Sequence, residues 1–198
     1  MGPYDGGFAQ FERRARRWQC RPWALSTLHV DLGVTLVIED SAGWRILGAS
    51  ARDGEGIGVA LNHRIVGTPL ELPIRAHEFG HVALGLESVA LCTSMPTKRP
   101  LEDDAWCVGT LYAVPAKLAM HDVLPTDAAR ICQVPVQMVM VRRALVEFAA
   151  VHGYAKIQAR QRLNGALSAL RLWVFETTVS LMLDERRRNP VLFVGSSV

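Results

Sequence analysis

Residues 73–85 read Pro-Ile-Arg-Ala-His-Glu-Phe-Gly-His-Val-Ala-Leu-Gly, and this stretch decides both the fold and the chemistry of the chain. His77 and His81 are four residues apart, which places them on one face of an α-helix. Two imidazoles at that spacing can bind the same Zn²⁺ ion, and Glu78 between them is placed to act as a general base on water. The opening proline suits a first helical turn and the closing glycine suits a helix end. The stretch therefore predicts a helix that carries a zinc hydrolase site.

A catalytic zinc site needs a third protein ligand and an open fourth position for water. The acidic cluster Glu102, Asp103 and Asp104, at the start of the next predicted helix, is the expected source. Acidic residues also favour the positive end of a helix dipole, which is the structural alternative for this cluster. A surface or packing role is expected for each of the remaining histidines considered, which are His63, His121 and His152.

The composition is that of a folded protein with a mildly basic charge. The 198 residues are 49% hydrophobic and 21% charged, which allows one compact unit with a buried core. A net charge of +3 does not indicate a nucleic-acid partner. Cys20, Cys92, Cys107 and Cys132 form no Cys-x-x-Cys pair, so reduced thiols and a cytoplasmic location are expected. We expect no signal peptide and no membrane span, because no uncharged apolar run approaches ~20 residues.

The hydrophobic pattern predicts an α+β fold. A small, mostly antiparallel sheet would pack on the zinc-binding active-site helix, and the C-terminal half would be mostly helical. An amphipathic helix with a solvated basic face is expected over 8–18. Residues 172–183 are apolar nearly all round, which favours either a buried helix or an oligomer interface, and the oligomeric state stays open. The predicted strands cover 34–38, 44–47 and 57–61. The predicted helices cover 101–121 with a bend near Pro115, 125–133, 136–151 and 155–188, the last as one long helix or two shorter ones.

Further stretches surround the histidines in a recognisable order. Leu61-Asn62-His63-Arg64 precedes them, and Glu102-x-x-Ala105 then leads to Gly109-x-Leu111-x-x-x-Pro115. A later segment reads Ala128-x-x-Cys-x-Val-Pro-x-x-x-Val-x-x-Arg142. Over about residues 30–148 this arrangement resembles the ImmA/IrrE family of metallopeptidases.

The resemblance implies a role for each residue that matches the family pattern. His77, His81 and Glu102 would be the metal ligands and Glu78 the catalytic base, with Asp104 as the alternative third ligand. The chain would then be a zinc-dependent metalloendopeptidase that cleaves a protein. Members of this family typically cleave helix-turn-helix transcriptional repressors of mobile elements or stress responses.

Under this interpretation, residues 1–122 form the metallopeptidase core and 123–198 a helical C-terminal region. That region would contain a helix-turn-helix-like unit over 126–150 and a long helix over 155–188. The second helix of the unit begins with apolar residues, so packing is expected rather than direct DNA binding. The run 57–61 is expected to offer a strand edge to a substrate.

The chain also departs from the family pattern. Trp106 stands four residues after the expected ligand Glu102, where the family usually has Asn or Asp, and Val108-Gly109 replaces Phe-Ala. A histidine ligand normally needs an acceptor for its second ring N–H, and Asp103 and Asp104 are the candidates for that role. The alternative functions are a non-proteolytic zinc-binding regulatory module and a DNA-binding regulator that acts through its helical half.

Overall fold

The computed structural model describes residues 33–40, 43–52, 56–85, 89–94, 100–120 and 122–188. The predicted helix over 8–18, Cys20 and His121 lie outside them. The described residues form the predicted α+β fold, with a mostly antiparallel sheet and a helical C-terminal half. The strands are β1 (Val34–Glu39), β2 (Ile46–Arg52), β3 (Ile57–Asn62) and β4 (Ala90–Thr93), and the α-helices are α1 (Glu71–Ala83), α2 (Pro100–Ala113), α3 (Pro125–Cys132), α4 (Val136–Ala150) and α5 (Tyr154–Arg188). Short 3-10 helices cover His63–Ile65 and Ala116–Ala119.

The strand order in the sheet is β1-β3-β2-β4. β2 pairs antiparallel with both β3 and β4, whereas β1 pairs parallel with β3. Because β3 has a partner on each side, the prediction that 57–61 offers a free edge is wrong. β4 was not predicted, because four residues are too few to show a clear alternation.

β2 extends well beyond the predicted run 44–47 because α1 crosses it closely. A Cβ atom at Gly48 would lie 2.9 Å from Cγ2 of Ile74 and 3.0 Å from Oε1 of Glu78. The small residues after Leu47 have low strand propensity, but they leave room for the helix. The packing of α1 on the sheet therefore determines this strand in spite of its composition.

The C-terminal helices pack mainly through one face of α5. Its buried residues recur at helical spacing and face α4. Residues 172–183 were predicted to be either buried or part of an oligomer interface. Val174 and Thr178 are buried, but the opposite face of the helix is exposed. The exposed apolar residues of that opposite face are Leu172, Phe175, Val179 and Leu183.

By length and composition, α5 also contains an 18-residue stretch apolar enough to cross a membrane, and 22% of it is buried. Core helices of soluble proteins can meet the same criterion. The expected cytoplasmic location thus stays a prediction.

Candidate metal centre

The two motif histidines lie side by side on the buried face of α1. The Nε2 atoms of His77 and His81 are 3.2 Å apart, and the rings meet edge to face with centroids 4.7 Å apart. Both side chains are almost completely buried. The i, i+4 spacing on a helix thus brings two nitrogen ligands to one point, as the sequence predicts.

Glu102, in the first turn of α2, completes a group of three ligand atoms. Its Oε2 lies 3.1 Å from Nε2 of His77 and 3.6 Å from Nε2 of His81. Two ligands of a tetrahedral zinc ion are about 3.3 Å apart, because the bonds to nitrogen and oxygen are about 2.0–2.1 Å long. The three separations bracket that value, so this buried group has both the donor chemistry and the spacing to hold a metal ion.

Two glycines allow α2 to approach α1 closely enough for this arrangement. A Cβ atom at Gly80 would lie 2.1 Å from the carbonyl oxygen of Ala105, and one at Gly109 would lie 2.2 Å from that of Ala76. The two helices therefore touch backbone to backbone on both sides of His77. This close contact requires glycine at positions 80 and 109.

The electrostatics of the site favour the ligand forms of these side chains. Burial lowers the pKa of His77 to about 4, against the opposing hydrogen bond with Glu102. Partial burial raises the pKa of Glu102, but the hydrogen bonds and charges of His77 and His81 outweigh it and bring the pKa well below its usual range. At neutral pH the site thus presents a neutral imidazole at His77 and an ionised carboxylate at Glu102.

Glu78 lies beside this group in a different environment. The hydroxyl of Ser50 donates a hydrogen bond of 2.8 Å to Oε2 of Glu78. A carboxyl oxygen of Glu78 and a ring nitrogen of His77 lie within 4.8 Å of each other, with the thiol of Cys92 equally close. Complete burial raises the pKa of Glu78 to about 8, although the hydrogen bond from Ser50 opposes the shift.

Ser50 was not predicted as a site residue, because it lies in β2, 28 positions before Glu78. Only the packing of α1 on β2 brings the two side chains together. The only sequence signal available was a polar residue in a strand of small and apolar ones.

The other acidic residues lie outside the group of ligand atoms. Asp103 forms an ion pair with Arg171 of α5. Asp104 is buried, but it does not join Glu102 in the convergent group. The prediction that one of these two accepts a hydrogen bond from a ligand histidine is wrong, because Nδ1 of His77 and Nδ1 of His81 have no hydrogen-bond partner among the described residues.

The other described histidines are not part of the group of ligand atoms. His63 pairs with the exposed Asp40 at 3.2 Å, and His152 is exposed on the surface. Cys92, Cys107 and Cys132 are buried free thiols, which agrees with the expectation of reduced cysteines for this part of the chain.

Trp106 contributes to the site in a way that was not predicted. Its ring stacks on His77, with centroids 4.2 Å apart and an interplanar angle of 28°. Trp106 lies one helical turn after Glu102, so both residues face α1 from the same side of α2. The position that departs from the family pattern is therefore in direct contact with a candidate ligand.

No protein-family model matches the chain, and neither a curated protein nor a solved structure is significantly similar to it.

Proposed function

We propose that the protein is a zinc-dependent metalloendopeptidase. The observation that carries the proposal is the convergence of His77, His81 and Glu102 to separations of 3.1–3.6 Å, with Glu78 beside them. Two histidines and one carboxylate are a ligand set of catalytic zinc sites, which leave the fourth position open. A metal site with an adjacent buried carboxyl group that is not itself needed as a ligand favours hydrolysis over a purely structural role.

Each of the chain's own residues has a defined part in this proposal. When bound, zinc lowers the pKa of a coordinated water to about 7 and polarises the scissile carbonyl group. Glu78 accepts the proton of the attacking water and returns it to the leaving amine. Burial raises the pKa of Glu78 to about 8 in the metal-free protein, and a bound cation beside it would favour the carboxylate that accepts the proton. Ser50 holds the carboxyl group in place through its hydrogen bond.

The proposed substrate is another protein. β4 is at the edge of the sheet in the described strand order, and its Cys92 borders Glu78. A substrate segment that added to this edge as a further strand would pass beside the proposed base. The resemblance to the ImmA/IrrE family makes a helix-turn-helix repressor the expected substrate. The reduced cysteines make the cytoplasm the expected location.

One observation favours a non-proteolytic zinc-binding module instead. The histidines and Glu78 are almost completely buried, and the side chain of Glu102 is only 19% exposed. Structural zinc sites are buried, but they are usually closed by four protein ligands. The convergent group contains three among the described residues, which is why we place hydrolysis first.

The arrangement of α4 does not favour the alternative of a DNA-binding regulator. A recognition helix must expose its first residues to the major groove. In α4, Met138, Val139 and Val141 are buried, and buried Arg142 donates a hydrogen bond of 3.0 Å to the carbonyl group of Val114. α4 therefore serves the hydrophobic core.

The test uses four full-length proteins, namely the wild type and the variants Glu78→Gln, Glu102→Ala and Asp104→Ala. After zinc loading and dialysis, we expect about one zinc per chain in the wild type, in Glu78→Gln and in Asp104→Ala. Glu102→Ala should lose most of its zinc, because it removes an atom that contacts both histidines. Retention by Glu102→Ala combined with loss by Asp104→Ala would transfer the ligand role.

Cleavage is then measured by mass spectrometry of new N-termini in a proteome-derived peptide library. The wild type should generate termini that Glu78→Gln does not, because the amide cannot accept a proton. Equal cleavage by the two zinc-loaded proteins would remove Glu78 as the base. A zinc-bound wild type that generates no new termini at all supports the non-proteolytic module.

A further inference from the structure

We propose that Trp106 is a positioning residue that holds the His77 ring in the orientation needed for metal binding. The inference rests on the proposed metal site and assigns to it a residue that does not bind the metal. The indole is 2% exposed, and it stacks on the imidazole at 4.2 Å with the planes 28° apart. Both rings are therefore enclosed in the core, with the indole covering one face of the ligand.

A stacking contact matters here because none of the described residues supplies the usual orienting hydrogen bond. Ligand histidines nearly always donate the second ring N–H to a carboxylate, a carbonyl group or water, and this bond fixes the ring orientation. Nδ1 of His77 is buried without such a partner among the described residues. The contacts that define the His77 ring are Nε2 with Glu102, the edge of His81 and the face of Trp106.

α2 supplies both the ligand and the stacking platform. Glu102 and Trp106 are four residues apart, so one helical face presents a carboxylate to Nε2 and an indole to the ring plane. The close approach permitted by Gly80 and Gly109 brings that face against α1. The packing of α2 on α1 thus fixes both the position of Glu102 and the orientation of the His77 ring.

The experiment measures metal binding directly. Wild type, Trp106→Phe, Trp106→Leu and Leu111→Ala are titrated with Co²⁺ against a chromophoric chelator, and the visible absorption of the bound Co²⁺ is recorded. Phenylalanine keeps a ring that can stack, whereas leucine fills part of the space without one. Leu111 is buried on the same helix, so Leu111→Ala controls for a core cavity.

We expect Trp106→Phe to bind Co²⁺ with nearly wild-type affinity and absorption. Trp106→Leu should bind about 10–100-fold more weakly, the effect typical of losing a contact that orients a metal ligand, and its absorption should change. Leu111→Ala should lower Tm but leave affinity and absorption unchanged. In the wild type, bound Co²⁺ should also quench a share of the tryptophan emission that Trp106→Phe lacks.

The outcomes separate the two proposals. A folded Trp106→Leu protein with wild-type affinity and absorption overturns the positioning role. If that variant does not fold, the fluorescence decides, and equal quenching in wild type and Trp106→Phe overturns the role. A folded wild type that binds no Co²⁺ overturns the metal site itself, and the positioning role with it.

Discussion

At the scale of single residues, Glu78 shows how one folded environment sets two opposite demands. The core excludes water from its carboxyl group, which favours the neutral form, whereas general base catalysis needs the carboxylate. Ser50 supplies a hydrogen bond that favours the charged form, but burial dominates and the pKa rises to about 8. In the metal-free protein the group is therefore mostly protonated at neutral pH, and this has a measurable effect on stability.

The pKa of Glu78 predicts that metal-free protein loses stability as the pH rises. The group keeps its proton in the folded state up to a pKa of about 8, whereas the unfolded chain releases it near 4.5. The contribution of Glu78 to the free energy of unfolding is thus fully present below pH 4.5 and is lost as the pH rises through 8. His77 contributes the opposite trend, because burial lowers its pKa to about 4 in the folded state. Its contribution to the free energy of unfolding is therefore fully present above pH 6.5 and is lost as the pH falls through 4. Comparison with Glu78→Gln cancels the effect of His77.

The measurement is urea unfolding of chelator-treated wild type and Glu78→Gln at pH 5, 6.5 and 8. The stability of the wild type relative to the variant should fall by about 1 kcal/mol or more between pH 5 and pH 8, since each unit of pKa difference corresponds to about 1.4 kcal/mol. A difference that stays constant with pH would contradict the buried, protonated state of Glu78.

The residues of the site could be predicted from the sequence only where the signal is local. The pair His77 and His81 follows from helical spacing, and Glu102 follows from its register in the family pattern. Ser50 and the stacking role of Trp106 depend on contacts across elements, and residue type alone does not report such contacts. Trp106 appeared as a departure from the pattern, but its partner became visible only in three dimensions.

At the scale of elements, the contact between α1 and α2 is the feature that forms the site. The backbone contacts at Gly80 and Gly109 leave no space for a methyl group. The obstructing atoms are main-chain carbonyls, so the helices themselves would have to move apart. Separation of the helices would also withdraw Glu102 from both histidines.

We predict that Gly80→Ala and Gly109→Ala each destabilise the protein by at least ~1–3 kcal/mol, the typical cost of forcing extra volume into a packed core. They should also weaken zinc binding. Gly165→Ala is the matched control, because its added Cβ meets no atom within 4 Å on α5. Replacing a glycine within a helix should instead stabilise it by ~0.5–1 kcal/mol. Urea unfolding and zinc titration measure both effects, and a Gly80→Ala protein as stable as Gly165→Ala would contradict the close packing.

The elements show the same limit of sequence-based prediction as the residues. α1, α4 and α5 were predicted well, because long apolar periodicities are strong signals. The second half of β2 was not predicted. Its small residues have low strand propensity, and they are there because α1 crosses the strand closely. The central position of β3 was also missed, because strand order depends on long-range pairing and is not encoded in any one segment.

At the scale of the whole molecule, α5 connects the helical C-terminal region to the candidate site. Arg171 forms an ion pair with Asp103, the residue next to Glu102. Near the C-terminal end of the helix, Glu185 accepts a hydrogen bond from the indole of Trp44 and pairs with Arg64 at 3.4 Å. α5 therefore contacts both the first turn of α2, through Arg171, and the residues that flank β2 and β3, through Glu185.

The ion pair between Arg171 and Asp103 predicts that a change in α5 will be felt at the site. The two side chains are only 11% and 14% exposed, so Arg171→Met removes a guanidinium that faces a nearly buried carboxylate. We expect a loss of roughly 3 kcal/mol, because breaking a buried pair costs far more than breaking a surface pair.

Arg187→Met is the matched control on the same helix, since the pair of Arg187 with Asp184 is 77% and 46% exposed and should contribute little. Urea unfolding of the two variants measures the contrast, and adding Asp103→Asn to Arg171→Met should recover part of the loss by removing the carboxylate charge that the guanidinium had offset. Equal stability of Arg171→Met and Arg187→Met would mean that α5 does not support the first turn of α2 through this pair.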